Sequence, residues 1–306
     1  MVKRKKRVKK KVIKKKKKTS GEKVLLNFFK KALKDGYDPE EIRQVALKKG
    51  WPRQVIDEVL YSIIKNNKGR IKSYYSPKNI KRVKTGIKAL DPLLQGGLVE
   101  RSLNLISGPA GSGKTILAIK FLVEGLENGE GGIFITFEDN KEELYKSMLR
   151  FGWDLRKYEL KGDFIFIYVN PDQVQGLIDG SGGEAIQELI DECDISRLVV
   201  DSMNSFSFLF QDFIERKEAN LALFSLLRKL GCTCFLTVND VFFEKNSELE
   251  FESDGIILVY HVKKKRKRVR ALEVLKMRGT KIPEETFPMK ITNRGISINP
   301  HKAVIF

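Results

Sequence analysis

Sulfur and imidazole are scarce in this sequence. Its 306 residues hold three cysteines and two histidines. Cys193, Cys232 and Cys234 show no metal-ligand spacing and no disulfide framework. Cys232 and Cys234 stand two apart in an apolar run, which puts both on one side of a strand and in the core. His261 and His301 have no cysteine or carboxylate cluster beside them, so a zinc centre or a histidine-based triad lacks material. No run of eighteen apolar residues exists, and the N-terminus lacks the apolar segment of a signal peptide. A reduced, cytoplasmic location is the simplest expectation. Acid is missing from one stretch: residues 3–18 carry thirteen Lys or Arg and no Asp or Glu.

That stretch supplies +13 of a net charge of +19, and the remaining +6 reads as spread over the rest of the chain. Otherwise the composition, 42% hydrophobic and 32% charged, is that of a soluble globular protein. Residues 1–20 cannot bury anything and are expected to be disordered alone. The tail reads as an arm for nucleic acid or another polyanion.

Residues 21–66 read as a small helical domain. Leu25, Phe28, Phe29 and Leu33 fall at helical spacing, then Asp35-Gly36-Tyr37-Asp38 breaks the pattern. Pro39 suits the first turn of a second helix with Asp38 as its N-cap, Gly50 closes that helix, and Pro52 opens a third. The arrangement resembles small ubiquitin-associated-like bundles, and a protein-interaction role and a nucleic-acid-binding role are both open. Residues 67–80, with Asn66-Asn67-Lys68-Gly69 and Ser76-Pro77, read as a linker.

The sharpest signal is Gly108-Pro109-Ala110-Gly111-Ser112-Gly113-Lys114-Thr115, a match to G-x-x-x-x-G-K-T/S. An apolar run suited to a buried strand precedes it, and Ile116–Leu126 follows at helical spacing. Glycines let backbone N–H groups curl around a phosphate, and a helix N-terminus adds partial positive charge. Lys114 is placed to reach the β- and γ-phosphates of ATP, and the Thr115 hydroxyl to bind Mg²⁺.

Strands and helices then alternate: strands over 132–137, 164–169, 198–201 and 232–238, helices over 141–151, 184–193 and 215–230. This argues an α/β fold with a mostly parallel sheet covered on both faces. From Gly255 onward the pattern is strands, 256–262, 271–277 and 288–298, read as a C-terminal antiparallel extension. Lys263-Lys264-Lys265-Arg266-Lys267-Arg268 forms a basic hairpin tip between the first two.

Asp201 ends a strand of apolar residues, where a carboxylate beside a phosphate loop can hold Mg²⁺. Glu138-Asp139 ends the strand after the first helix, where a carboxylate can reach the γ-phosphate and orient water. Asn239 ends another strand and is a weaker candidate for sensing the γ-phosphate.

Thr85-Gly86-Ile87-Lys88-Ala89-Leu90-Asp91-Pro92-Leu93-Leu94 followed by Gly96-Gly97 looks like the T-G-I/V-x-x-L-D-x-L-L-x-G-G lead-in of KaiC-like and RadA-like ATPases of the RecA superfamily. Phe137-Glu138-Asp139, Phe151-Gly152-Trp153-Asp154-Leu155, Asp201-Ser202 and Lys276-Met277-Arg278-Gly279 resemble KaiC-like segments. The resemblance spans about 85–298 and implies a RecA-type P-loop core over 81–306. It also implies Glu138 as catalytic base, Asp139 as auxiliary, and Lys276 and Arg278 reaching a neighbour's γ-phosphate in a homo-oligomer, a hexameric ring. One ATPase domain stands where KaiC has a tandem pair, and the tail and helical unit are additions.

The expected function is a slow, Mg²⁺-dependent ATPase acting as a ring-forming regulatory or assembly factor, with autokinase activity left open. A RadA-like recombination or repair ATPase, and a nucleotide-dependent binding module with negligible hydrolysis, are the rivals. Residues 205–213 and 240–251 read as loops facing the ring centre, rich in Phe and Glu. Their acidity weighs against a grip on nucleic acid there.

Overall fold

A computed structural model describes residues 20–34, 39–66, 80–138, 140–179, 181–239 and 247–304. Residues 1–19 of the basic tail, the Asp35–Asp38 break with its proposed cap, residues 67–79 of the 67–80 linker, Asp139 and the 240–246 part of the second loop lie outside the described residues. The chain divides between Asn79 and Ile80 into two compact units.

The first unit has three helices, Ser20–Lys34, Pro39–Lys48 and Arg53–Asn66. Leu25 and Phe29, Ile42 and Ala46, and Ile56, Val59, Leu60 and Ile63 recur three or four residues apart and so share one buried centre. Gly50, at φ 79°, takes the left-handed conformation that ends the second helix, and its N–H bonds Leu47 O at 2.9 Å.

The second unit carries eleven strands among its described residues. β1 (Arg82–Val83) and β2 (Leu98–Val99) form a small antiparallel pair ahead of the main sheet. The main sheet contains β3 (Leu103–Ser107), β4 (Gly131–Thr136), β5 (Phe164–Tyr168), β6 (Ile195–Asp201), β7 (Thr233–Val238), β8 (Gly255–Lys264), β9 (Lys267–Met277), β10 (Phe287–Thr292) and β11 (Gly295–Ile298). Their spatial order is β11-β10-β9-β8-β3-β7-β6-β4-β5. The six from β5 to β8 are parallel, and β9 to β11 add antiparallel strands beyond β8. The α/β class and its antiparallel extension are therefore as the sequence implies.

Alternation along buried strands feeds two cores. Ile106, Phe134, Val199 and Phe235 face the helix Lys114–Glu127 with its Leu117, Phe121 and Leu122. Leu105, Ile133, Ile135, Leu198 and Val200 face the other way, against Leu223, Phe224 and Leu227 of the helix Phe213–Leu230. Cys232 and Cys234 belong to this second core. Burial pushes the Cys232 thiol up to about 12 and that of Cys234 well above its usual range, so neither is a nucleophile at neutral pH.

Two expectations need correction. The single strand over 288–298 is two, β10 and β11, paired as a hairpin that turns through Asn293 and Arg294. Thr292 Oγ1 donates to Gly295 O at 3.0 Å, and Gly295 sits at φ 93°, a conformation glycine adopts at little cost. The loop read over 205–213 begins inside a helix, Met203–Ser207, whose cap Ser202 accepts from Ser205 N–H. Its Phe206 and Phe210 are buried in the second core, while Phe208 and Phe213 remain exposed. Hydrophobic burial claims two of the four phenylalanines in this first loop. In the second loop, Ser247–Glu252 is helical.

At the amino ends of the strands, Arg197 of β6 is 2% exposed. Its Nε meets Glu130 Oε2 at 2.7 Å, its Nη1 donates to Lys84 O and Phe121 O, and its guanidinium lies 4.8 Å from the centre of the Phe121 ring. Gly125 makes this possible, because a Cβ there would stand 2.4 Å from Arg197 Cδ. Arg197 thus ties the segment before the sheet, the Lys114–Glu127 helix and the strand that ends at Asp201.

Candidate active site

The carboxyl ends of β3, β7, β6 and β4 lie side by side, in that order. Ligands of open α/β sheets bind at such strand ends. Ser107 ends β3 and leads into the glycine-rich loop, Asn239 follows β7, Asp201 ends β6, and Glu138 follows β4. Residues separated by as much as 131 positions are brought together because register pairs Ser107 with Val238 and Thr136 with Asp201. A cleft of about 820 Å³ is lined by Ala110, Lys114, Thr115, Glu138, Asp201 and Asn239, among others.

The loop is built for close approach. A Cβ on Gly108 would stand 2.1 Å from Val259 O of β8, so no side chain fits where the loop leaves β3. Gly113, at φ 107°, caps the helix Lys114–Glu127 in a conformation that favours glycine. Lys114 Nζ donates to Gly108 O at 2.7 Å and to Pro109 O at 3.1 Å, which holds the ammonium over the loop. Ser112 Oγ is buried with no hydrogen-bond partner among the described residues. A buried hydroxyl left so is costly unless something else satisfies it.

Beside the loop, Thr115 Oγ1 donates to Asp201 Oδ2 at 2.7 Å, and Thr237 Oγ1 donates to Asp201 Oδ1. Burial raises the Asp201 carboxyl above its ordinary range, against the two threonine hydrogen bonds and the nearby Lys114 charge, which lower it. A divalent cation would reverse that balance and favour the carboxylate. Among the described residues no group of three or more His, Cys, Asp or Glu could hold a metal ion. One hydroxyl and one carboxylate suit Mg²⁺, which keeps waters and phosphate oxygens as its remaining ligands. The donor set therefore fits Mg²⁺ carried in with a phosphate.

Across the cleft, Glu138 is exposed, and Ser205 Oγ donates to its Oε1 at 2.7 Å. The Glu138 N–H is held by Thr136 Oγ1 at 3.1 Å. A solvated carboxylate oriented by a hydroxyl can accept a proton from water. Asn239 lines the same cleft, and its backbone N–H bonds Asn204 Oδ1 at 2.8 Å.

Lys276 and Arg278 do not line this cleft in their own chain. Lys276 Nζ donates to Glu250 O at 2.5 Å, and Arg278 donates to Phe251 O at 2.7 Å and to Asp254 at 3.1 Å. Burial alone would push the Asp254 carboxyl up, but the Leu103 N–H, Arg228 and Arg278 outweigh it and hold it below its ordinary value.

Three contributors escaped the sequence reading. Ser205 orients Glu138 from a helix read as loop. Arg216 lines the cleft with a buried Nε that has no hydrogen-bond partner among the described residues, while its Nη2 donates to Phe210 O and Gln211 O. Arg270 of β9 donates from Nε to Gly111 O at 3.0 Å, bracing the loop from the antiparallel extension. A lone arginine in a helix or a hairpin carries no spacing signal, so only the fold reveals these two.

The likeness to known proteins falls where the geometry does. Residues 83–303 match the family described as the KaiC ATPase. The circadian clock protein KaiC3 of Synechocystis is 36% identical over 238 residues, covering 74% of this chain and 47% of that protein. The circadian clock oscillator protein KaiC of Synechococcus elongatus is 33% identical, over 72% of this chain and 44% of its own. The chain thus spans about half the length of these clock relatives. A UPF0273 protein of Saccharolobus solfataricus is 34% identical over 72% of this chain and 83% of its own. The crystal structure of a KaiC-like protein from Pyrococcus horikoshii superposes with a TM-score of 0.66 at 30% identity, covering 72% of this chain and all of that one. With the glycine-rich loop, Asp201 and the Glu138 carboxylate meeting in a single cleft, and with the match running through all of them, this chain belongs to the KaiC family of ATPases.

Proposed function

We propose that this chain binds Mg²⁺-ATP in the cleft at the strand ends and hydrolyses it slowly, as one subunit of a hexameric ring with a regulatory or assembly role. The convergence of Lys114, Thr115, Asp201 and Glu138 on one cleft carries the reading. The residues of 108–113 wrap the phosphates with backbone N–H groups, and Lys114 leaves its carbonyl partners to neutralise the β- and γ-oxygens. Mg²⁺, held by Thr115 and by Asp201, would spread the charge of the departing phosphate. Glu138, aligned by Ser205, orients the attacking water and accepts its proton. Asn239 reports on the γ-phosphate position.

Lys276 and Arg278 complete the neighbour's site. Their absence from the lining of their own cleft is what a role across a subunit boundary requires. Each ring contact then supplies transition-state charge that the protomer lacks alone. The basic tail and the helical unit are assigned to recruitment, of a polyanion and of a protein respectively.

The test is ATP turnover by the full chain and by Glu138→Gln. Turnover should fall by about 10²–10⁴-fold, with nucleotide binding and oligomeric state retained. Equal turnover would remove Glu138 from the chemistry. Arg278→Ala and Lys114→Ala should each be inactive alone, and mixing them should restore part of the activity. No rescue at any mixing ratio would rule out a shared site.

A further inference from the structure

Charge in this chain is not spread as its composition suggests. Of 58 Lys and Arg, thirteen lie in 3–18 and six in 263–268, and neither stretch holds an acid. The remaining 39 are matched by 39 Asp and Glu. The match is uneven: residues 21–79 carry thirteen Lys or Arg against seven acids, so the 80–306 unit outside the hairpin tip is net acidic by six, and the tip is a run of six cations set on it.

The tip is a defined structure. β8 pairs with β3 as far as Leu258, opposite Ser107, and continues to Lys264 with β9 as its one partner on that stretch among the described residues. The ribbon so formed projects beyond the carboxyl edge of the parallel sheet, and Arg270 at its base touches the phosphate loop at Gly111. All six residues from Lys263 to Arg268 are exposed. Register places Lys263 opposite Arg268 and Lys264 opposite Lys267. Like charges directly opposed across strands are destabilising. Lys265 sits in the turn at φ 54°, in the left-handed region where a hairpin ordinarily uses Asn or Gly. Two local preferences, of rung and of turn, are thus set aside to keep cations at consecutive positions. Solubility alone would be served by mixed signs on a relaxed turn. Such concessions cluster at functional positions.

We propose that the 263–268 hairpin is a binding site for the phosphate backbone of double-stranded DNA, engaged without sequence preference. The row of cations supplies the neutralising charge that dominates such binding. A two-stranded ribbon is narrow enough to lie along a duplex groove. Residues 261–270 contain no Phe, Tyr or Trp, so the ribbon lacks the stacking surface that single-stranded sites employ. The site is distinct from the nucleotide cleft and from the acidic 247–252 helix.

The experiment measures binding of a fluorescent duplex of roughly 30 base pairs to the full chain between about 50 and 200 mM salt. The comparison is with the combined variant Lys263→Gln, Lys265→Gln, Arg266→Gln, Lys267→Gln and Arg268→Gln. The variant should bind about tenfold or more weakly at the lower salt, and its log–log salt slope should shrink by roughly 0.9 for each phosphate that is no longer neutralised. The conservative pair Arg266→Lys and Arg268→Lys should bind like the parent. Thermal melting of the combined variant should match or exceed the parent, because opposed charges are removed, which separates weaker binding from failed folding. An unchanged affinity and slope would assign all binding to the tail and overturn the site. Tighter hairpin-dependent binding to single strands, or to phosphatidylserine vesicles, would overturn the duplex assignment.

Discussion

The two ends of the parallel strands treat buried charge in opposite ways. At the amino end, Arg197 is enclosed and fully served: Glu130 takes its charge, and two backbone carbonyls and the Phe121 face take the rest. At the carboxyl end, half-buried Asp201 meets two hydroxyls, and among the described residues it has no salt-bridging cation and Ser112 Oγ and Arg216 Nε have no hydrogen-bond partner; Lys114 donates to carbonyls of its own loop. One end is complete as the chain folds. The other is arranged around charge the chain does not itself supply. Electrostatic design for stability and for ligand binding can thus be told apart on a single strand, since β6 carries Arg197 and Asp201 only four residues apart.

This contrast can be broken at either end. The largest effect on stability is expected from Arg197→Ala, which removes the Nη1 hydrogen bonds to Lys84 O and Phe121 O, leaves Glu130 without its ion-pair partner and opens a void beside Gly125. Loss of a buried ion-pair partner costs about 3 kcal/mol or more, read as a lower denaturant midpoint. ATP affinity of the folded fraction should hold. Asp201→Asn should act in reverse. A carboxyl raised by burial costs stability once ionised, a cost absent below its unfolded pKa and complete above its folded one. Removing that charge should raise Tm by a few degrees at neutral pH while abolishing Mg²⁺-dependent ATP binding; a lower Tm would contradict the account of Asp201.

The smallest effect is a matter of pH. Hydrogen bonding to Arg197 leads the causes that hold the Glu130 carboxyl below its ordinary value of 4.5. A depressed carboxyl contributes stability that is present above its unfolded pKa and lost as pH falls through the folded one. Glu130→Gln should therefore flatten the loss of stability below about pH 4.5. It should leave the neutral-pH pH–rate profile of turnover unchanged. Equal acid sensitivity of parent and variant would remove the pair from that role.

How much of this was visible beforehand follows from distance along the chain. The glycine-rich loop is eight contiguous residues, and Asp201 and Glu138 each close an apolar strand, so local pattern placed them at the same sheet edge. The KaiC-like lead-in and Lys276–Arg278 were likewise contiguous. Arg197 was not legible, because its partners at 84, 121 and 130 share no spacing with it. The 205–213 stretch was misread because Phe206 and Phe210, a turn apart on a short helix, look the same in sequence whether they face a channel or a core. Ser205, Arg216 and Arg270 needed the fold, since each acts through an element remote in sequence from the group it touches.

The hairpin tip bears on how copies of this protein meet in solution. Residues 80–306 hold as many Lys and Arg as Asp and Glu, and without the six cations of the tip that unit is net acidic. A cationic ribbon set on an acidic unit attracts the acidic surface of a second copy by the same physics that attracts a polyanion. At physiological ionic strength that field fades over about 8 Å. A second copy and a polyanion therefore compete for one ribbon, and rising salt weakens its hold on both.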